Sequence, residues 1–126
     1  MRGAYRQEQG EEIKDAIEDD TSIVMNLKGK GLVILSGCAH SGIINTMLWA
    51  KEVTGLEKFH AVMGGFHLTG KTSASVIEHT IEEMQKLNPH YVIPTHCTGR
   101  KAVAEMESRM PRKFLLNMPG TKLTFA

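Results

Sequence analysis

The stretch Leu32-Val-Ile-Leu-Ser-Gly-Cys-Ala-His, residues 32–40, joins a short apolar run to a histidine that directly follows it. The run Leu32–Ser36 is aliphatic and partly β-branched, which predicts a buried strand. After Ser41-Gly42, apolar residues recur at helical spacing until Gly55, which predicts a helix that ends at that glycine. This segment therefore predicts a strand that places a histidine in the loop before a helix.

The same order of strand, small or rigid residue and histidine occurs twice more. Phe59–Met63 leads into Gly64-Gly-Phe-His, and Tyr91–Ile93 leads into Pro94-Thr-His-Cys. The carboxyl ends of parallel strands lie along one edge of an α/β sheet, where ligands collect. Imidazoles at that edge could converge on one ion, and imidazole suits zinc and iron. The predicted metal ligands are His40, His67 and His96.

These histidines also have a structural interpretation. A histidine after a strand is commonly a loop residue that bonds to backbone groups, and only the repetition favours a metal site. His60, His79 and His90 lie in a strand, on the polar side of a helix and in a turn, so they are expected to be structural or solvated. For Cys38 and Cys97 we favour small buried residues beside the site over ligands, and a redox role for these thiols stays open.

The remaining pattern predicts an α/β domain. A hairpin is expected where Ser22–Leu27 and Leu32–Ser36 flank a Lys-Gly-Lys-Gly turn. Helices are expected over Ser73–Leu87 and Arg100–Met110, and closing strands over Lys113–Leu116 and Thr121–Phe125. The order β-β-α-β-α-β-α-β-β implies a mixed sheet with a parallel portion.

The first 20 residues differ from the rest in charge. Residues 1–20 hold seven acids and three bases, whereas residues 21–126 hold seven acids and twelve bases. We therefore predict an acidic arm or helix over 1–20, with a short polar helix at Glu8–Ile17, and one domain over 21–126.

Composition excludes several classes of protein. The 126 residues carry a formal charge of only +1, which gives no argument for binding nucleic acid or an anionic membrane. No apolar run reaches the roughly 18 residues that a membrane span needs, and the amino terminus has no secretory signal pattern. Two cysteines do not form a disulfide framework, so a cytoplasmic protein is expected.

Three motifs in order resemble a known family. They are Gly31-Leu-Val-Ile-Leu-Ser-Gly-Cys-Ala-His-Ser-Gly-Ile-Ile-Asn45, Gly64-Gly-Phe-His-Leu68 and Pro94-Thr-His-Cys-Thr-Gly99. With Asp19-Asp20 ahead of them, they are similar to one branch of the metallo-β-lactamase superfamily, which includes the dihydropterin–ribofuranosylaminobenzene phosphate synthase-like proteins. The resemblance extends from about Asp19 to Phe125.

The resemblance implies a fold and a set of ligands. The family fold is a four-layer αβ/βα sandwich of two halves with a metal site between them. This chain resembles the C-terminal half, which implies one mixed β-sheet with helices mainly on one face. By motif, His40 matches the third metal-ligand position of the superfamily and His96 the last. His67 is typical of the branch and binds either metal or substrate, while the usual bridging aspartate is missing from Gly64–His67.

The sequence departs from the family in lacking its His-x-His-x-Asp-His motif, which lies in the N-terminal half. The resemblance therefore implies a metal-binding half-domain, using zinc or iron, without hydrolase activity alone and with a binding or redox role. The alternative is a metal-dependent hydrolase or synthase completed in trans by a dimer partner or a separate N-terminal half. A third possibility is an inert fragment. An apolar sheet face would be covered by the partner, and a homodimer is the expected assembly.

Overall fold

The chain folds around a four-stranded sheet that carries three helices. A computed structural model describes residues 5–125. In chain order its elements are β1 (Tyr5–Glu8), β2 (Glu11–Lys14), β3 (Ser22–Leu27), β4 (Gly31–Ser36), α1 (Ile43–Thr54), β5 (Phe59–Gly64), α2 (Ala74–Leu87), β6 (Tyr91–Pro94) and α3 (Arg100–Arg109).

The sheet is mixed, as the element order predicts. Its strands lie in the order β3-β4-β5-β6. The first pair is an antiparallel hairpin with Ser22 opposite Ser36, and the two later pairs are parallel. The parallel connections pass through α1 and α2, so β4, β5 and β6 all end at the same edge. This edge receives the three predicted histidine loops.

One face of the sheet is covered by helices. Leu32 and Ile34 of β4 and Val62 of β5 are fully buried in a single core cluster. The same cluster contains inward-facing residues from every helix, among them Met47, Ile81 and Met106. All three helices therefore pack on one face, as the resemblance implied. Full burial of one such aliphatic side chain contributes about 1.5–3 kcal/mol.

The opposite face of the sheet is also apolar, and it is exposed along β3 and at the end of β4, although Val33 on the same face is buried. Alternate residues of β3 and β4 point there, because side chains alternate between the two faces of a strand. Ile23 is 55% exposed and Met25 45% exposed, and Leu35, which pairs with Ile23, is 39% exposed. Large aliphatic side chains that adjoin in this way form an open apolar surface, called the open face below.

Three predicted elements at the chain ends are wrong or incomplete. The helix predicted over Glu8–Ile17 is instead the β1–β2 hairpin, because Gln9 and Gly10 both adopt positive φ and form a tight turn. The strand predicted over Lys113–Leu116 is reduced to one bridge between Val92 and Phe114.

The strand predicted over Thr121–Phe125 does not form. β6, the nearest edge of the sheet, has only four residues and ends at Pro94, which has no N–H to donate, so it offers little to a further strand. The division at residue 20 stays a prediction. Within residues 5–125, every helix is too short or too polar to cross a membrane.

Candidate metal centre

The three histidine loops are held together by backbone hydrogen bonds past the ends of the strands. The N–H of Gly65 donates to the carbonyl of Gly37 at 3.0 Å, and the N–H of Thr95 donates to the carbonyl of Gly64 at 2.8 Å. The buried hydroxyl of Ser36 also donates to the carbonyl of Gly65 at 2.9 Å. The loops after β4, β5 and β6 therefore stay side by side in the same order as their strands, and their side chains lie together at the carboxyl edge of the sheet.

Each loop contains a non-glycine residue in the left-handed region. Ala39 has φ 54°, His67 has φ 48° and Cys97 has φ 37°. Two of these residues adjoin a predicted ligand and the third is one. Such conformations cost on the order of 1–3 kcal/mol each, persist only where the surroundings enforce them, and cluster at functional sites.

His40 and His67 form one pair at this edge. Their ring centroids lie 4.3 Å apart with the ring planes inclined by 49°. His40 is exposed and His67 is half-buried. Nδ1 of His67 is buried without a hydrogen-bond partner in the described part of the chain. A buried polar nitrogen is normally satisfied, so this atom has an unfilled requirement for a ligand or water.

His96 forms a second group, with the two cysteines. Its Nε2 lies 3.4 Å from Sγ of Cys38, and its Nδ1 lies 3.0 Å from Oγ1 of Thr95. Sγ of Cys97 contacts the carbonyl of Cys38 at 3.7 Å. One ligand atom from each of Cys38, His96 and Cys97 lies within 4.8 Å of the others.

The predicted set of three histidines therefore occupies one edge but falls into two groups. Among residues 5–125, the one close group of three histidine, cysteine or acidic side chains is Cys38, His96 and Cys97. From the sequence, the two cysteines are expected to be small buried neighbours of the site. Both are in fact only half-buried and face His96. The sequence signal that could have identified them is their spacing: Cys97 directly follows His96, and Cys38 precedes His40 by two residues.

Gly65 leaves space in the middle of this edge. A Cβ atom built on Gly65 would lie 2.5 Å from Sγ of Cys97, 2.7 Å from the carbonyl oxygen of Gly37 and 2.9 Å from Nε2 of His96. Carbon atoms do not normally approach other atoms so closely, and even alanine would therefore displace the donor atoms. Glycine at this position allows the backbone to approach the site.

An acidic residue supports the His40 loop. Asp20 accepts hydrogen bonds from the N–H and the hydroxyl of Ser41, at 3.2 and 3.0 Å. Burial acts to raise the pKa of Asp20, but hydrogen bonds from the backbone of Ser41 and His40 outweigh it, and the net pKa is below its ordinary value. Asp20 is therefore ionised at neutral pH. In the sequence, Asp20 is marked only as part of the family pattern.

The pKa of Cys97 is shifted in the opposite direction from that of Asp20. Burial raises the pKa of the Cys97 thiol, and the neighbouring Cys38 adds to the rise, while a hydrogen bond from the backbone of His67 partly opposes it. Without a cation, Cys97 is therefore a neutral thiol at physiological pH.

A cleft of about 320 Å³ lies beside the His40–His67 pair. Its wall includes Phe66 and Leu68 together with polar side chains of α1 and α2. These polar residues include Asn45, His79 and Glu83. His79 is exposed, as expected, but it faces this cleft. The edge therefore combines metal-type donors with a concave, partly apolar surface that can take a small molecule.

The chain is similar to known proteins in both sequence and structure. No family model matches the chain. A 100-residue segment is 36% identical to 7,8-dihydropterin-6-methyl-4-(beta-D-ribofuranosyl)-aminobenzene-5'-phosphate synthase of Methanocaldococcus jannaschii, which covers 79% of this chain and 33% of that protein. An uncharacterized protein of the same organism is 37% identical over 97 residues, covering 77% of this chain and 34% of that protein.

A solved structure is similar over almost the whole chain. It is described as a metal-dependent hydrolase of the β-lactamase superfamily, with a TM-score of 0.88 and 34% sequence identity, and the match covers 97% of this chain and 46% of that one. This chain thus spans about a third of its curated relatives and under half of the solved structure. The chain therefore has part of the metallo-β-lactamase fold and resembles the branch that contains the dihydropterin–ribofuranosylaminobenzene phosphate synthase.

Proposed function

We propose that this chain is a metal-binding part of a metallo-β-lactamase-type protein, which holds a divalent ion, zinc or iron, at the carboxyl edge of its sheet. The proposed ligands are His40, His67 and His96. The observation that carries the proposal is the delivery of these three imidazoles to one edge by three neighbouring strands, β4, β5 and β6.

The residues at this edge fit a metal ion. His67 offers a buried nitrogen without a partner, and Gly65 keeps a Cβ away from the donor atoms of the next loop. Imidazole is a common ligand of both zinc and iron. When bound, such an ion supplies Lewis acidity toward an oxygen of a bound molecule.

The surrounding side chains position the imidazoles. Thr95 contacts Nδ1 of His96, which leaves Nε2 as the nitrogen that faces the site. Asp20 holds the backbone directly after His40 through Ser41. Partners of this kind fix the orientation of a metal-binding imidazole, and their loss typically costs 10- to 100-fold in metal affinity.

By itself the chain is proposed to lack hydrolase activity. The His-x-His-x-Asp-His motif, which the resemblance associates with most ligands of the first metal, does not occur in the sequence. Three imidazoles can hold an ion, but the sequence supplies no aspartate of that motif to orient an attacking water. A binding or redox role for the metal is the remaining function of the isolated chain.

A second candidate is a hydrolase or synthase completed in trans. The open face favours it, because Ile23, Met25 and Leu35 form an apolar surface of the kind that another sheet covers in a sandwich. The matched proteins are two to three times longer than the segment they share with this chain. The completing unit would be a second copy of this chain or a separate N-terminal half.

Metal analysis tests the proposed function. Purified protein loaded with zinc or iron(II) and dialysed is expected to retain about one ion per chain, and His40→Ala is expected to lower that content while circular dichroism stays unchanged. His90→Ala, which changes a histidine at the other end of the sheet, is the matched control. Unaltered metal content in both His40→Ala and His96→Ala would refute the site.

Sedimentation and activity measurements test the second candidate. At high micromolar concentration the chain is expected to be a dimer, and Leu35→Lys on the open face is expected to convert it to a monomer. Leu48→Lys, on an exposed part of α1, is the control and should leave the mass unchanged. A monomeric wild-type chain would exclude the homodimer. Zinc-dependent turnover of a β-lactam, phosphodiester or thioester by that dimer would establish completion by a second copy.

A further inference from the structure

We infer that Cys38 and Cys97 are metal ligands together with His96, so that the edge presents a sulfur-containing donor set and not imidazoles alone. The inference rests on the proposed function, since both place a divalent ion at this edge. It goes further by naming the two thiolates and by assigning the site to thiophilic metals.

The donor atoms of these three residues lie close to one another. Sγ of Cys38, Sγ of Cys97 and one ring nitrogen of His96 lie within 4.8 Å of one another. Zinc–sulfur bonds are about 2.3 Å and zinc–nitrogen bonds about 2.0–2.1 Å, so donors around one zinc ion lie roughly 3.5–4 Å apart. Only small movements of these side chains would bring all three onto one ion.

Two separate loops deliver these donors, and backbone hydrogen bonds hold the loops at one edge. Cys38 follows β4, and Cys97 follows β6, 59 residues later. Between them, Gly65 at the end of β5 has no Cβ that would fill the space beside Cys97 and His96. The backbone bond from Gly65 to Gly37 holds the first loop in place. The donors are therefore positioned by the fold and not by chance exposure.

The chemistry of these donors determines which metals they bind. Two thiolates and one imidazole form a softer set than three imidazoles and favour zinc over harder cations such as magnesium. Binding breaks the two S–H bonds, forms two metal–sulfur bonds and releases two protons to solvent. Three protein ligands leave a fourth tetrahedral position for water, a substrate atom or a ligand from the His40–His67 pair.

The experiment is a titration of the reduced, metal-free full chain with cobalt(II). Thiolate ligands give an intense charge-transfer band in the near ultraviolet, whereas the weaker visible d–d bands report cobalt in any tetrahedral site. We expect both sets of bands for the wild-type chain. In the double variant Cys38→Ala/Cys97→Ala, we expect the charge-transfer band to vanish. We also expect the affinity for cobalt to fall at least tenfold, since the loss of an outer-shell partner alone typically costs that much.

Separate outcomes address the two proposals. Visible bands without the charge-transfer band in the wild-type chain would overturn the thiolate inference and leave a histidine site intact. No cobalt bands of either kind, with no retained zinc, would overturn both. Because the double variant could misfold, a second measurement uses the wild-type chain alone. Saturating zinc is expected to slow the reaction of both thiols with a chromogenic disulfide reagent at least tenfold, and unchanged thiol reactivity with zinc bound would contradict the inference.

Discussion

The two ends of the parallel strands both carry histidines, yet the surroundings of those histidines differ. At the amino end, His60 is 8% exposed and is enclosed by rings: His90 stacks on it at 5.3 Å, while Tyr91 and Phe125 contact it edge-on at 5.5 and 5.4 Å. At the carboxyl end, His40 and His96 are exposed and face nitrogen or sulfur donors.

The difference shows that the loop, and not the residue type, decides what a histidine can do. The imidazoles at the amino end pack within an aromatic cluster. The carboxyl-end imidazoles follow glycine-rich or proline-containing turns with a left-handed residue at or beside each one, and these turns direct the rings toward other donors. We therefore propose metal binding at the carboxyl end and a packing role at the amino end.

The largest expected difference between the two ends is in metal binding. His96→Ala removes the histidine that belongs to the close three-donor group, so we expect zinc affinity to fall by at least tenfold. His90→Ala at the amino end should leave zinc affinity within twofold. Equilibrium dialysis with zinc measures both variants. Equal losses in the two variants would mean that metal binding does not distinguish the ends.

A smaller effect is expected from filling the space at the carboxyl edge. Gly65→Ala places a Cβ against Cys97, Gly37 and His96, so we expect about 1–3 kcal/mol of destabilisation together with weaker zinc binding. Gly29→Ala is the control for zinc binding, because its Cβ meets no atom within 4 Å and it lies away from the site, whereas its φ of 75° makes alanine costly for stability alone. Urea unfolding and zinc dialysis compare the two. Unchanged zinc affinity in Gly65→Ala would show that the space is not part of the site.

The smallest predicted effect concerns pH at the amino end. Burial lowers the pKa of His60, and the charges of His90, Lys30 and Lys58 lower it further. Below about pH 6.5, the pKa of an unfolded histidine, the unfolded chain takes up a proton that folded His60 resists. Stability is therefore lost as the pH falls from about 6.5 through the lower folded pKa.

Replacing His60 tests this assignment. In metal-free protein, His60→Phe keeps an aromatic ring and should reduce the loss of stability between pH 7.5 and pH 5.5, measured by urea unfolding. His79→Ala, at an exposed position on α2, should leave that loss unchanged. An identical pH dependence in wild-type and His60→Phe protein would assign the effect to other groups.

Much of the fold could be predicted from the sequence because its signals are local. The short apolar runs predict the strands β3 to β6, and the apolar stripe predicts the helix α2. The family resemblance then predicts how these elements are arranged. The β1–β2 hairpin could not be found in this way, since it depends on a turn at Gln9-Gly10 in a polar segment with few apolar residues to mark strands. The segment after α3 looked like strands, but β6 is too short to pair with two of them.

The sequence predicts which edge of the sheet carries the site, but it does not predict how the donor residues group there. Alternation of strands and helices implies that His40, His67 and His96 follow parallel strands. The division into His40 with His67 and His96 with the cysteines depends on side-chain directions set by left-handed residues such as Ala39 and Cys97. Residues 58 positions apart, as in the Cys38–His96 contact, give no local signal of that kind.

The most direct measurement is an anomalous difference map from a crystal of the zinc-loaded chain, recorded at the zinc absorption edge. Our account predicts a single strong peak at the carboxyl edge of the sheet, within bonding distance of Nε2 of His96. A peak at the His60–His90 cluster instead, or no peak near His96 in crystals shown by analysis to contain zinc, would contradict the assignment of metal chemistry to that edge.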